Sequence, residues 1–385
     1  MKLYTTVRTR VKQDIIVRIN RQLKGKGTFS VSKGQEVVPS DILGSAYISS
    51  GFRIMKLAEE LSVDPAEVTK YLLRTVGQRI YKDELLAHKK GGLFTDNKNI
   101  TAPTDGILEY LNPKTGELKI TFMPKKVDLP SGVFGIVENI DLAGNQVLIK
   151  TQVSRVYGMF GSGRARDGML QIISRREELI GKTIISSKLE GKILAGGGLI
   201  FKDAIISAIS NGVSGIIVGG MNARDYKGMA GGRLIFPRKT ETDIGISIAV
   251  CEGFGSIPMG EDIFEVLKKY DGKFVLIDGN NHIIDLPSFD SSCIYKIKKT
   301  SLPPIQLENL ASADKLDDQI LEVKIGFKVR VIGNSFAGEQ GKIISLDQTL
   351  TLLPSGVKTN LATVETKRRK IQVPVANLEV IDYSH

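Results

Sequence analysis

The sequence has no tryptophan, two cysteines, three histidines and 13 prolines in 385 residues. Cys251 and Cys293 fit no metal-ligand spacing and no disulfide framework, which argues against a zinc module and points to a reducing compartment. His88, His282 and His385 stand in no metal or nucleophile signature, and no serine or cysteine does either. No catalytic residue, no metal site and no cofactor is therefore expected. The N-terminal stretch "MKLYTTVRTRVKQ" lacks the apolar core of a signal peptide, and no apolar run reaches the length of a membrane span. The expectation is a cytoplasmic protein with no membrane insertion.

Glycine is what the chain has in quantity, 40 residues, which with so few prolines predicts many short strands and tight turns. At 42% hydrophobic and 25% charged the composition is that of a globular protein, and the length suggests roughly two to four domains. The net charge is +11, unevenly placed. Residues 1–50 carry nine Lys/Arg against three Asp/Glu and residues 151–200 eight against four, whereas residues 251–350 are net −4. Such basic fields steer nucleic acid, acidic protein or an anionic surface without selecting among them.

The first 170 residues read as β structure. In "VRTRVKQDIIVRI", Arg8, Arg10 and Lys12 alternate with Val7, Thr9 and Val11, predicting a strand with one cationic face solvated at a sheet edge. "GQEVVPSDILG" (34–44) and "GQRIYKDELLA" (77–87) echo each other: Gly-Gln, a β-branched residue two positions on, an acid seven after the glycine, then two aliphatics. The stretches 100–120 and 131–151 add glycine-punctuated strands, as in a small sandwich or barrel. Between the echoes, "FRIMKLAEELSVDPAEVTKYLL" (52–73) keeps helical spacing on both sides of a break, with Pro65 opening the second helix. This stretch resembles a helix-turn-helix. Its second helix, however, presents only Lys70 and Arg74 and lacks the Asn, Gln and Ser that read base edges, so a helical insertion closing one end of a barrel is expected.

The two Gly-Gln turns, "TAPTDGIL" and "SGVFGIVENI" together resemble the barrel-sandwich hybrid fold of biotinyl and lipoyl carriers, of some electron-transport subunits and of the large RNA polymerase subunits. In the carriers a lysine sits on a tight hairpin. Here "LLAHKKGGLFTDNKNITAP" has extra residues at that place, so no covalent biotin or lipoate is expected.

"SRVYGMFGSGRARDGML" (154–170) raises Arg164 and Arg166 on permissive glycine backbone, a candidate anion-binding loop. It does not spell GxGxxG ahead of a helix, which excludes a dinucleotide fingerprint. Residues 176–295 then alternate: "KILAGGG" as strand and turn, "LIFKDAIISAISNG" as an amphipathic helix ended by Gly212, "VSGIIVGG" as a buried strand. "DIGISIAVCEGFG", "EDIFEVLKKY" and "GKFVLIDG" follow as strand, helix and strand. The order predicts a mainly parallel sheet with ligands bound beyond the carboxyl ends of its strands. Candidate ligand residues are Gly196, Gly197, Gly198, Gly219, Gly220, Asn222, Asp225 and Glu252, although tight βα turns use the same glycines without any ligand. The arrangement also resembles the swivelling β/α domains of large enzymes.

Residues 296–320 read as a polar linker, and residues 321–385 as a separate β unit. "VRVI", a short loop, "FAGEQGKI" and the closing "KRRKIQVPVANLEVI" resemble the KOW motif, an SH3-like barrel found in NusG-type transcription factors and several ribosomal proteins. That resemblance implies contact with RNA, ribosome or polymerase through the first loop. It places Asn334, Ser335 and Phe336 at the tip, with Lys328, Arg330 and Lys342 flanking and Arg368, Arg369 and Lys370 at a hairpin end. Phe336 would stack on a base and the cations would meet phosphates.

The fold class expected is thus multi-domain α/β and all-β: a barrel-sandwich hybrid over 1–170, an α/β domain and a KOW-type barrel. The function expected is a non-enzymatic adaptor binding RNA, ribosome or the transcription machinery. A cofactor-linked enzyme using the central glycine loops and a scaffold binding only protein remain alternatives.

Overall fold

Strands dominate, and they fall into several sheets, the largest of them mixed parallel and antiparallel. The computed structural model describes residues 2–25, 27–48, 51–91, 96–229, 243–303, 319–332 and 336–382. They form two compact units, one built of Met1–Ile19, Gly132–Ile136 and Lys150–His385, the other of Asn20–Ser131 and Val137–Ile149.

The first unit contains the mixed layer. Strands Arg166–Ile172, Ile193–Ala195, Gly215–Met221 and Ser247–Phe254 lie parallel in that order. Phe160–Ser162 extends the sheet antiparallel on one side, and Phe274–Asp278, Ile283–Pro287 and residues 150–157 on the other. A parallel strand is covered on both faces, which is why Gly215–Met221 has no polar side chain. Ile216 and Val218 enter one core and Ile217 the other. Each such side chain, fully buried, contributes roughly 1.5–3 kcal/mol.

Helix Lys202–Ser210 packs Ala204, Ile205 and Ala208 into the first core and gives way to Gly212, whose φ of +69° suits a helix end. Helix Glu261–Lys268 packs Ile263, Phe264 and Leu267 into the second, with acids in its first turn and Lys268 in its last, as the helix dipole favours.

The C-terminal strands stay out of this layer and form their own sheet. Its order is Gln319–Glu322, Tyr4–Val7, Leu378–Asp382, Lys328–Val331, Gln340–Leu346, Leu361–Thr366 and Lys370–Pro374. The N-terminal strand Tyr4–Val7 pairs antiparallel with Gln319–Glu322 and parallel with Leu378–Asp382. Strand Tyr4–Val7 therefore belongs with the C-terminal sheet, while Val11–Gln22 pairs with Gln146–Tyr157, so the N-terminal residues do not sit in a single 1–170 unit. Of the expected linker, residues 304–318 lie outside the described residues, and Cys293–Lys299 is a helix.

The second unit has a sheet of Phe52–Lys56, Glu117–Phe122, Gly106–Leu111 and Arg79–Ile80, a smaller one of Lys125–Pro130, Ile42–Ile48 and Gly27–Phe29, and the hairpin Leu85–Lys89/Lys98–Thr101. The expected pair of helices is much reduced. Residues 52–56 are a strand because they pair in register with Glu117–Thr121, leaving only Leu57–Leu61 as α-helix. Pro65–Lys70 is a 3-10 turn opened by Pro65 as expected, with Asp64 ahead of it accepting the Ala66 N–H at 2.9 Å.

Candidate functional site

In strand Lys328–Val331, alternation sends Val329 and Val331 into the C-terminal core. It sends Arg330 to the opposite face, where another layer of protein replaces water. The guanidinium is fully buried. Nε donates to Asp262 at 2.8 Å, and the two terminal nitrogens donate to Glu252 at 3.1 and 2.6 Å. Burial opposes the charge, but Glu252 and Asp262 hold Arg330 well above the ordinary arginine range. The expectation of Arg330 as a phosphate contact is corrected: its donors are spent on the chain's own carboxylates.

The cluster extends to the N-terminus. Glu379, opposite Arg330 in register, accepts from Arg10 Nε at 2.9 Å and Nη2 at 2.6 Å, with Arg8 at 3.5 Å. Arg10 also donates to the Cys251 carbonyl at 3.2 Å, and Glu252 accepts the Gly260 N–H at 2.8 Å. Three arginines thus face three carboxylates where solvent cannot screen them. Arg10 is buried and Arg8 largely so, correcting the expected solvated cationic edge. Sequence reading missed Arg10, Asp262 and Glu379 as a set. The available signal was arginine, the residue suited to bidentate carboxylate pairing, beside valine in both "TRV" and "VRV". Cys251 lies beside this cluster, and burial pushes its thiol far up from the ordinary cysteine value.

Other predicted cations do reach solvent. Lys328 stands directly opposite Lys342 across two neighbouring strands, both exposed. Continuing across the sheet, Lys342 faces Glu365 and Glu365 faces Lys370, the last two joined at 3.4 Å. Arg368 pairs with Glu261 at 2.9 Å and Arg369 with Glu339 at 2.6 Å. Phe336, expected at a loop tip, instead packs against the C-terminal core, with the Arg369 guanidinium 4.6 Å above its ring. Asn334 and Ser335 lie outside the described residues.

The glycine loops of the mixed layer do converge, but on one another. The Gly196, Gly197 and Gly198 N–H groups donate to the carbonyls of Ile217, Arg175 and Glu178 at 3.1, 2.9 and 2.7 Å. These three amides are not left to hold an anion. A Cβ on Gly220 would collide with the Gly255 carbonyl oxygen, and one on Gly219 would lie 2.6 Å from the Met259 nitrogen. Glycine here permits close backbone packing, which corrects the expected ligand cradle. Asn222 accepts the Arg224 N–H at 2.9 Å to start the helix Ala223–Met229, Asp225 lies in that helix's first turn, and Glu252 belongs to the arginine cluster.

Arg164 and Arg166 also find an internal anion. Both pair with Asp243, at 2.5 and 2.6 Å. Burial pushes the Asp243 carboxyl up, but the Gly245 N–H and the two arginines outweigh it and hold the group below the usual carboxylate range. The anion-binding loop is therefore filled by the protein itself.

Among the described residues no His/Cys/Asp/Glu group could hold a metal, and no helix is long and apolar enough to cross a membrane. No protein-family model matches the chain, and a search of curated proteins finds no match.

Proposed function

We propose that this chain is a non-enzymatic, cytoplasmic adaptor that engages RNA through the outer face of its C-terminal sheet. In this reading the sheet is an SH3-like barrel of the KOW kind, and the second unit a barrel-sandwich hybrid that contributes architecture. The observation that carries the reading is Lys328 directly opposite Lys342, both side chains exposed at the end of a face that Arg330 buries further along. Like charges placed there destabilise a sheet, and a polyanion lying across the strands relieves that repulsion. The cross-strand row runs Asp382, Lys328, Lys342, Glu365 and Lys370, three cations to two acids, and the Arg369–Phe336 stack lies at the neighbouring hairpin.

The test is fluorescence anisotropy of a labelled single-stranded RNA with the full chain across a salt series. The reading predicts affinity that falls linearly in log–log form with salt. Absence of binding at 50 mM salt would overturn it.

A further inference from the structure

The two most exposed aromatic side chains described in the first unit, Phe289 and Tyr295, lie on one short segment, at 61% and 63% exposure. Each has a lysine over its ring: Lys273 lies 5.5 Å from the Phe289 centroid and Lys299 4.3 Å from that of Tyr295. Phe289 is held in place by the buried Tyr270 ring, edge-on at 5.5 Å, so its outer face is presented by a fixed support. Helix Cys293–Lys299 is anchored by buried Cys293 and Ile297, which turns Tyr295, Lys296 and Lys299 outward. The backbone that follows is tied down by Lys150 donating to the Thr300 carbonyl at 3.1 Å and Arg18 donating to the Pro303 carbonyl at 2.8 Å. From Ser288 to Pro303 the chain carries Lys296, Lys298 and Lys299 against the single acid Asp290, whose carboxylate accepts from the Ser292 N–H at 2.9 Å and hydroxyl at 2.6 Å.

Rings on rigid backbone, spaced along a lysine-rich segment, match the requirements of one polymer class. Bases offer flat faces to the rings and phosphates offer charge to the lysines, but only a single strand exposes both together. Duplex hides its faces, and a lipid surface offers charge with nothing to stack. We propose that the face built by the Ser288–Ser292 turn and the Cys293–Lys299 helix is a second binding site, for single-stranded nucleic acid, with Phe289 and Tyr295 as the stacking platforms. The inference rests on the RNA-binding reading above and adds a site to it.

The test measures a labelled oligouridylate binding to the full chain, its F289A/Y295A and Y295F variants, and the separate K328E/K342E variant. Circular dichroism and thermal melts serve as folding controls. The proposal predicts that F289A/Y295A weakens binding by about tenfold or more with the salt slope unchanged, because stacking carries no charge. Y295F keeps most of the affinity, and blunt duplex RNA of equal length is indifferent to the double substitution. Unchanged oligouridylate affinity in a folded F289A/Y295A variant would overturn the proposal. So would an equal loss on duplex. If K328E/K342E loses binding and F289A/Y295A does not, the inference falls while the RNA reading stands. The reverse result keeps this site and removes the C-terminal one, and a wild-type chain that binds no oligonucleotide removes both.

Discussion

The Arg330 guanidinium donates to both carboxylate oxygens of Glu252, and neither side chain is reached by solvent. The two residues are 78 positions apart, one on the C-terminal sheet and one on the mixed layer. An ion pair buried this deeply gains little over apolar packing when complete, because desolvation offsets the Coulomb attraction. Breaking it is another matter, since the survivor stays buried without a partner. Arg330 therefore fastens one layer to another, and its loss has a defined sign.

Replacing Arg330 with methionine leaves Glu252 and Asp262 buried without their main donor. The expected cost is about 3–5 kcal/mol, read from urea denaturation of the full chain. Arg330→Lys falls between, because an ammonium cannot serve two carboxylates in the fork geometry. An R330M variant within about 1 kcal/mol of wild type would contradict the fastening role.

Gly220→Ala should destabilise by about 1–3 kcal/mol, because the new methyl meets the Gly255 carbonyl. Gly181→Ala is the matched control, with no atom within 4 Å of the added carbon. A pair of melting curves decides it: equal losses at both positions would mean that the glycine loops do not pack as described.

Asp243 gives a pH signature. Its folded-state pKa is depressed, so its contribution is fully present above the unfolded value, about 3.9, and is lost as pH falls through the folded one. The stability gap between wild type and D243N should be constant above about pH 5 and shrink below about pH 4. A gap that grows on acidification would refute the Arg164–Asp243–Arg166 arrangement.

Both thiols are buried, and burial pushes each upward from the ordinary cysteine value. Neither should react with a disulfide reagent at pH 8 in the folded chain, and both should react in denaturant. Rapid labelling of native Cys251 would show that the cluster beside it opens readily.

Local pattern was legible where one rule governs. Val329 and Val331 follow from alternation, and helix Glu261–Lys268 from its spacing and end charges. The two Gly-Gln turns are the same object twice: Ser32 N–H donates to the Gln35 side chain at 2.9 Å and Thr75 N–H to that of Gln78 at 3.1 Å. A third copy, Arg175 N–H to the Glu178 side chain at 3.0 Å, escapes the sequence because glutamate replaces glutamine and no glycine precedes it.

What period alone cannot say is what lies opposite a face. Alternation puts Lys328 and Arg330 on one side of a strand, yet one meets water and the other a carboxylate layer. Likewise Ile54 has helical spacing to Leu57 and Ala58, but cross-strand pairing with Lys119 prevails over that local pattern. The arginine cluster draws on residues from 8 to 379, so no local window contains it.

The most direct test of an RNA-binding outer face is the slope of log affinity against log salt for a single-stranded RNA, wild type against K328E/K342E. Each phosphate contact removed should lower the slope by about 0.7, so the variant should lose about 1.4 in slope and bind more weakly at every salt concentration. A folded variant with wild-type slope and affinity would contradict the account.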